Sequence, residues 1–474
     1  MTTVPDSLQH LLLVTLEDPT DPKSWSGIPY SLLTALQNRI PRVTVVAGPQ
    51  LRPRRTTLTA ALRFALGSQR YPLWMTDASL HHYADVVQQA IARHQPDAVL
   101  SISSQCLVHL ETATPLFMFN DAPWPVFKHA YSPWESSPLP TPQFARQECD
   151  ASQRCQAVFT GSDWAADEAR KIYSIAPGRI HATSLGANWV PAHSTESLLE
   201  IAAQRTAVLE RAHSAKAIPS ADLASAPITA AALITRLAAP ASSARAQNLV
   251  GPEEAMHHPA AAADSLQLLF LGKDWQRKGG PLAVEVATQL HQRGHSVLLN
   301  IVGCTPTIPA ESAPVVALHG VLNLDNPSHR ARLENLFLDS HFLLVPTQAE
   351  CYGIAFVESQ AFAVPPISRN IHALPSIVLD GVTGLLLPHD APASAYADRI
   401  EAFIVNPSAY LKMATAARAR YESNLSWQHT ADKIISGIRA MASQPRATQP
   451  AAKASRNWIP QHLFARTAKA HPHQ

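Results

Sequence analysis

Short, continuous apolar runs closed by turn-forming residues alternate along this chain with segments whose apolar residues recur at helical spacing. In the first part, residues 10–16, 42–47, 97–102, 116–119, 156–162 and 179–186 read as strands, with helical patterns over 28–37, 57–66, 81–93 and 163–171. The alternation returns later, where 267–272, 296–303, 315–320 and 342–346 are strand-like and 328–338 and 354–363 are helical. Leu282, Val286 and Leu290 mark one face of a further helix, which Pro281 suits at its first turn. Strands that are apolar throughout belong to parallel sheets covered on both faces. Strand and helix in regular turn predict doubly wound α/β sheets.

The two series are separated by a stretch rich in Ala, Ser and Pro and poor in aromatics, which offers too little apolar surface to offset chain entropy. Within it, 199–212 and 229–237 keep some helical character. The expected organisation is an α/β domain over 1–190, a disordered insertion over 202–263 and a second α/β domain over 264–405. Helices over 406–442 and a disordered tail over 443–474, with basic but no acidic residues, complete the chain.

Ligands of open α/β sheets lie outside the carboxyl ends of the strands, so the loops there are the candidate site. After the strand at 342–346 comes Glu350, then a Tyr352-Gly353 turn, then a helix starting at Ile354 with Glu358 expected in its first turn. Gly353 permits close backbone approach, and free amides at a helix start can meet phosphate. Taken alone, two such glutamates read as solvated acids favoured by the helix dipole. Lys273 and Lys278 flank a tight Gly-bearing loop after the strand at 267–272, placing positive charge where a pyrophosphate could lie. Taken alone, these too read as solvated. In the first half, the loop ending in Ser26-Gly27 before a helix is either a phosphate-approach turn or a plain strand-to-helix connection. Asp121, following Asn120 at a strand end, either begins the turn before Pro123 or faces the site. No Gly-x-Gly-x-x-Gly follows the first strand of either half, which argues against a dehydrogenase.

The combination is more specific than its parts. Glu350-x7-Glu358, followed by Asp380-Gly381-Val382-Thr383-Gly384-Leu385-Leu386 and preceded by Gly272-Lys273 and Lys278-Gly279, resembles the donor-binding half of retaining glycosyltransferases of family 4. These have the GT-B architecture of two facing Rossmann-like domains. The resemblance implies transfer of a sugar from a nucleotide-diphosphate donor, with retention of configuration, no metal and no cofactor beyond the donor. It implies that Glu358 grips the nucleotide ribose and that Glu350 meets hydroxyls of the moving sugar, with backbone near Tyr352, Gly353 and Ile354 assisting. Lys273 and Lys278 would face the pyrophosphate; Lys273 stands where an Arg is common, keeping the charge without the fork geometry.

In the first half, the family's Gly-Gly loop is reduced to Gly27, and Asn120 replaces a common His, so a side-chain role passes to Asp121. The catalytic set is then Glu350, Asp121 and Lys278. Gly186-Ala187-Asn188 looks like the family's hinge turn, and the helices over 406–442 would cross back over the first domain. The resemblance does not extend to 202–263. Loops 52–55 and 124–140 would carry contacts to a carbohydrate, lipid-linked or protein acceptor. Two alternatives stay open: a sugar-nucleotide epimerase or hydrolase, and a non-catalytic sugar- or nucleotide-binding protein on the same fold.

Composition narrows the picture further. At 474 residues and 46% hydrophobic content the chain can bury more than one core, and a net charge of +2 provides no global field for nucleic acid. Five scattered cysteines in no zinc spacing fit reduced thiols. The 22 histidines, His81-His82 and His257-His258 among them, are dispersed, so no metal site is expected. The first residues lack the basic start and apolar core of a signal peptide, and no apolar run approaches a membrane span. A cytoplasmic protein is expected, its basic tail open to anionic lipid or acidic partners.

Overall fold

In the computed structural model, residues 8–51, 76–131, 141–173, 175–217 and 265–442 are described. The helix expected over 57–66, loop 52–55, residues 132–140, residues 218–263 of the insertion with His257-His258, and the tail lie outside them.

The apolar runs form two six-stranded parallel sheets, as expected. The first holds β1 (His10–Thr15), β2 (Arg42–Ala47), β3 (Ala98–Ser101), β4 (Leu116–Asn120), β5 (Ala157–Thr160) and β6 (Ile180–Ala182), in the order β2-β1-β3-β4-β5-β6. The second holds β7 (Leu266–Leu271), β8 (Val297–Val302), β9 (Val316–Leu318), β10 (Phe342–Leu344), β11 (Pro366–Arg369) and β12 (Leu385–Leu387), in the order β12-β11-β10-β7-β8-β9. Strands β1, β3, β4, β5, β8, β10 and β12 are buried at every residue, which is why their sequences are mostly apolar, with His10, Thr15, Ser101, Asn120, Thr160 and Asn300 as buried polar exceptions. Alternate residues still part to opposite faces: Leu11, Leu13, Leu100 and Phe117 join one core, and Leu12, Val14, Val99 and Met118 the other.

Strand order decides where a ligand can enter. In the first sheet the chain turns outward on either side of β1 and β3, and in the second on either side of β7 and β10. Connections leaving two such neighbours run to opposite faces, opening a crevice at their carboxyl ends. The two crevices receive the loops after β1 and β3 and the loops after β7 and β10.

The insertion differs from expectation at its start. The helix Thr195–Ala217 runs through residue 202. Leu198, Ala202, Arg205 and Leu209 recur on one helical face and are buried, so this Ala-rich segment does find a core. Arg205 donates from Nη1 to the Ser340 carbonyl (2.6 Å) and from Nη2 to that of Ala363 (2.9 Å), docking the helix on the second domain.

The helix Trp427–Ala442 returns to the first domain. Thr430 donates to the Ser184 carbonyl, Arg39 pairs with Asp432, and Trp427 Nε1 donates to Asn188 Oδ1 at 3.0 Å. A Cβ at Gly186 would lie 2.2 Å from the Trp427 nitrogen, so the turn between the domains can touch this helix only as glycine. No helix among the described residues is long and apolar enough to cross a membrane.

Candidate active site

In the second sheet the loops after β7 and β10 are pressed together. Gly279 has φ 78°, and a Cβ there would lie 2.1 Å from the Pro346 carbonyl oxygen. The Gln348 amide donates to the Arg277 carbonyl at 2.7 Å. This approach brings Lys278 Nζ onto Glu350 Oε2, in an ion pair whose side chains are 14% and 9% exposed. Glu350 Oε1 also accepts from the Tyr131 hydroxyl of the first domain at 3.4 Å. Its amide donates to His372 Nδ1 at 3.4 Å. The Arg277 guanidinium lies 4.9 Å from the Tyr131 ring centroid and donates to the Ala349 carbonyl at 2.9 Å. Lys273 is exposed and forms no ion pair with a described residue.

Glu358 lies elsewhere than expected. The helix starts at Ile354 with Gly353 as its cap, so Glu358 falls beyond the first turn. Burial pushes its pKa up to about 7, and the nearby Trp189 and Asn188 amides of the interdomain turn act in the opposite direction. Glu358 therefore lies beside the hinge, whereas Lys278 pairs with Glu350. Tyr352 is likewise committed: its buried hydroxyl donates to the Leu185 carbonyl at 2.9 Å and accepts from the Leu185 amide at 2.7 Å. Its side chain pins the two domains and leaves only its backbone for a ligand. Gly27 caps the helix Ile28–Gln37 beside Asn188, whose Nδ2 donates to the Ser26 carbonyl.

In the first sheet a cavity of about 340 Å³ opens at the strand ends, with Glu17, Trp25, Asp121, Trp124, Phe144 and Glu148 in its wall. Asp121 follows β4, and its Oδ1 accepts from the Ala122 amide at 2.8 Å. Burial, with a small contribution from the negative charge of Glu350, pushes it up to about 6; the neighbouring Ala122 packs in one cluster with Cys351, next to Glu350, of the other domain. Glu148, from the helix Thr141–Arg154, accepts from the Trp124 amide (2.8 Å) and from Asn120 Nδ2 (3.2 Å). Burial pushes it up to about 7. Lys278 and Glu350 thus meet directly, with Tyr131, Arg277 and His372 around them, while Asp121 and Glu148 lie in the wall of the first-domain cavity. Trp124, Phe127 and Tyr131 at helical spacing are the signal that could have exposed the helix Trp124–Tyr131.

These raised carboxyls give a pH dependence of stability. The folded values lie above those of an unfolded carboxylate, so the fold favours the protonated form. Their contribution is full below about pH 4 and lost as pH rises through about 6 for Asp121 and about 7 for Glu148. The stability of the native chain relative to Glu148→Gln, followed by urea denaturation, is expected to fall between about pH 5 and pH 8. A flat difference would remove Glu148 as a source.

All five cysteines are free. Among the described residues, Asp77, His81 and His109 are grouped closely enough to hold a metal ion, outside the cavity lining.

Residues 253–420 match the family model described as glycosyl transferases group 1. The curated D-inositol 3-phosphate glycosyltransferase of Thermobifida fusca is 27% identical over 212 residues, covering 42% of this chain and 48% of that protein. The chain thus spans about half the length of this curated relative. Among solved structures, sucrose-phosphate synthase from Thermosynechococcus elongatus superposes with a TM-score of 0.56 at 14% identity, over 91% of this chain and 98% of that one. Anabaena HepE in complex with UDP gives 0.50 at 13% identity, over 91% and 100%. At such identities the likeness is one of fold, and two six-stranded Rossmann-like sheets make that fold GT-B.

Proposed function

We propose, from the premise that residues 253–420 are a glycosyl transferases group 1 domain, that this protein transfers a sugar from a nucleotide-diphosphate donor to an acceptor hydroxyl. The observation that carries the reading is the Lys278–Glu350 pair at the β7/β10 crevice, with Ala122, next to Asp121 of the other domain, packed with Cys351, next to Glu350. The bond from the anomeric carbon to the diphosphate oxygen breaks, and the carbon gains oxocarbenium character. Lys278, Arg277 and the exposed Lys273 meet the charge growing on the diphosphate. Three cations there can do the work of a divalent metal, so the reaction is read as metal-independent.

Glu350 orients the sugar hydroxyls, with the backbone of Tyr352, Gly353 and Ile354 beside it. Glu358, next to the hinge amides, is assigned to the nucleotide ribose. The acceptor oxygen attacks from the face the diphosphate leaves, and its proton passes to the diphosphate, so configuration is retained. The acceptor lies in the first-domain cavity, against Asp121. Uridine is the first nucleotide to try, since HepE on the same fold was solved with UDP. Five free cysteines fit a reducing, cytoplasmic setting.

Thermal melts in EDTA across UDP-, GDP- and ADP-sugars test the reading. One nucleotide class is expected to raise the melting point, since a ligand at a hundred times its Kd adds about 2.7 kcal/mol. Donor hydrolysis or transfer should follow with that class, and NMR of the product gives the anomer. No stabilisation and no turnover with any of the three would sink the proposal, whereas binding without turnover would mark a binding protein.

A further inference from the structure

Two imidazoles and a carboxylate meet at a point outside the cavity lining that the sugar-transfer reading leaves unused. Asp77 and His81 stand one turn apart at the start of the helix Asp77–His94, and His109 follows the short helix Ser104–Leu107 that leaves β3. A helix that returns the chain to a parallel strand starts at the carboxyl end of the sheet, which is also where β3 ends, so topology brings the three together. Thr76 caps the long helix by accepting from the Ser79 amide at 3.3 Å, which leaves the Asp77 carboxylate, 77% exposed, free of capping. Its two oxygens are taken separately. Oδ1 lies 2.8 Å from His109 Nε2 and Oδ2 lies 3.3 Å from His81 Nδ1. His81 Nδ1 is also 3.0 Å from the Asp77 carbonyl oxygen, so this ring folds back over Asp77. The His81 and His109 rings stack at 3.8 Å between centroids and 19° between planes. An ion pair accounts for one imidazole on a carboxylate. It does not account for a second, laid parallel on the first with its nitrogen turned to the same group. One nitrogen of each ring and one carboxylate oxygen lie within 4.8 Å of one another. Ligand atoms about 2.0–2.1 Å from a tetrahedral ion stand about 3.3 Å apart, so binding asks for side-chain shifts of about 1.5 Å at most.

We propose that Asp77, His81 and His109 bind a divalent transition-metal ion, Zn²⁺ above all, in a structural site on the first domain. Two imidazole nitrogens suit Zn²⁺, Cu²⁺ or Ni²⁺, whereas Mg²⁺ and Ca²⁺ are held by oxygen ligands. Three protein ligands leave the fourth position to water. Residues 52–75 contain no Asp, Glu, His or Cys, so the stretch leading into this helix adds no ligand of those kinds. The ion acts as a clamp. Leu107 of the short helix and Leu80 of the long one already share a core, and Ser104 and Gln105 of the same short helix are in the cavity wall. Metal on Asp77, His81 and His109 joins the two segments at a second point and so fixes one wall of the cavity. The donor crevice belongs to the other domain, and the chemistry read there needs no metal. Histidine spacing in the sequence hides the site, because His109 reaches Asp77 and His81 from a different element. The inference stands apart from the transferase reading and survives or fails without it.

Calorimetric titration of the full chain with ZnCl₂, after EDTA treatment and dialysis, tests the site against His81→Ala, a change at an exposed side chain. Tight binding of a single Zn²⁺ per chain is expected. In His81→Ala it should be at least about 100-fold weaker, since even groups behind metal ligands are worth about 10–100-fold in affinity. Weak binding by the chain's other histidines is common to both proteins and cancels in the comparison. Co²⁺ is the second probe: the visible bands of the four-coordinate ion should appear with the native chain and be lost with His81→Ala or His109→Ala. Saturating Zn²⁺ should raise the melting temperature of the native chain and leave that of His81→Ala where it was, while Mg²⁺ in large excess should neither bind nor compete. The metal-free melting temperature of His81→Ala should match that of the native chain, so a lost zinc effect is not a lost fold. Absence of tight Zn²⁺ binding, or tight binding that survives His81→Ala, overturns the proposal.

Discussion

Lys278→Ala is expected to lower kcat/KM for transfer by at least about 100-fold, the scale on which removing one preorganised charge partner of a leaving group acts. Nucleotide-diphosphate affinity should fall by roughly 1.5–3 kcal/mol, the range for a hydrogen bond to a charged group. Lys278 is paired with Glu350, the two side chains almost shut off from water. A diphosphate entering the β7/β10 crevice competes for that ammonium, and release of Glu350 frees its carboxylate for the sugar hydroxyls. Calorimetric titration with the diphosphate reads the effect, and an unchanged affinity takes Lys278 out of the site. Removing one partner of a buried pair also costs about 3–5 kcal/mol of stability, because the other is left charged and alone. The double variant Lys278→Met, Glu350→Gln separates the two effects. Neutral side chains of similar volume should recover most of the stability and none of the transfer.

The parts of this arrangement that could be read from sequence are those whose position follows from topology. Lys278 and Glu350 lie in loops directly after apolar strands, and the strand order brings those loops together. Asp121 was legible for the same reason, one residue beyond β4. Glu358 is only half legible: its helix follows from the sequence, but its place beside the Asn188 and Trp189 amides of the interdomain turn does not. Partners across a domain boundary leave no periodicity in either segment. Tyr352 shows the same limit, since the hydroxyl bound to Leu185 is a tertiary fact. Tyr131 and Glu148 were missed because their helices, Trp124–Tyr131 and Thr141–Arg154, flank a Pro- and Ser-rich stretch that hides helical spacing. Arg205 is half legible as well: 199–212 carries helical character, but Ala-rich composition places the segment from 202 in the insertion, whereas its buried face docks it on the second domain.

These cross-boundary contacts share a consequence. Tyr131 with Glu350, Tyr352 with Leu185, Glu358 with the hinge amides, and the Trp164 ring 5.0 Å from that of His372 all join one domain to the other through residues at or beside the candidate site. A ligand that displaces Glu350 or Glu358 from these partners therefore changes what holds the domains together. On the transferase reading, donor binding would thereby act on the contacts that join the domains, through a shared set of side chains.

Gly279→Ala is expected to disable the same site without altering a charged residue. Two costs add at this position. At φ 78° a side chain is strained by about 1–2 kcal/mol, and a Cβ 2.1 Å from the Pro346 carbonyl oxygen forces the two loops apart for about another 1–3. The obstacle is backbone, so no rotamer change relieves it. A total near 3 kcal/mol corresponds to a fall in melting temperature of roughly 6–12 °C for a domain of this size. Separating the loops also breaks the contact that places Lys278 on Glu350, so nucleotide-diphosphate binding should drop with stability. Gly294 supplies the control. Its φ is 87°, and a Cβ there would meet nothing within 4 Å. Gly294→Ala thus carries the strain without the clash, and should cost only about 1–2 kcal/mol and leave diphosphate affinity unchanged. Equal melting shifts for the two variants would mean that the loop contact contributes nothing. A Gly279→Ala protein that melts early yet binds the diphosphate normally would separate the loop approach from the placement of Lys278.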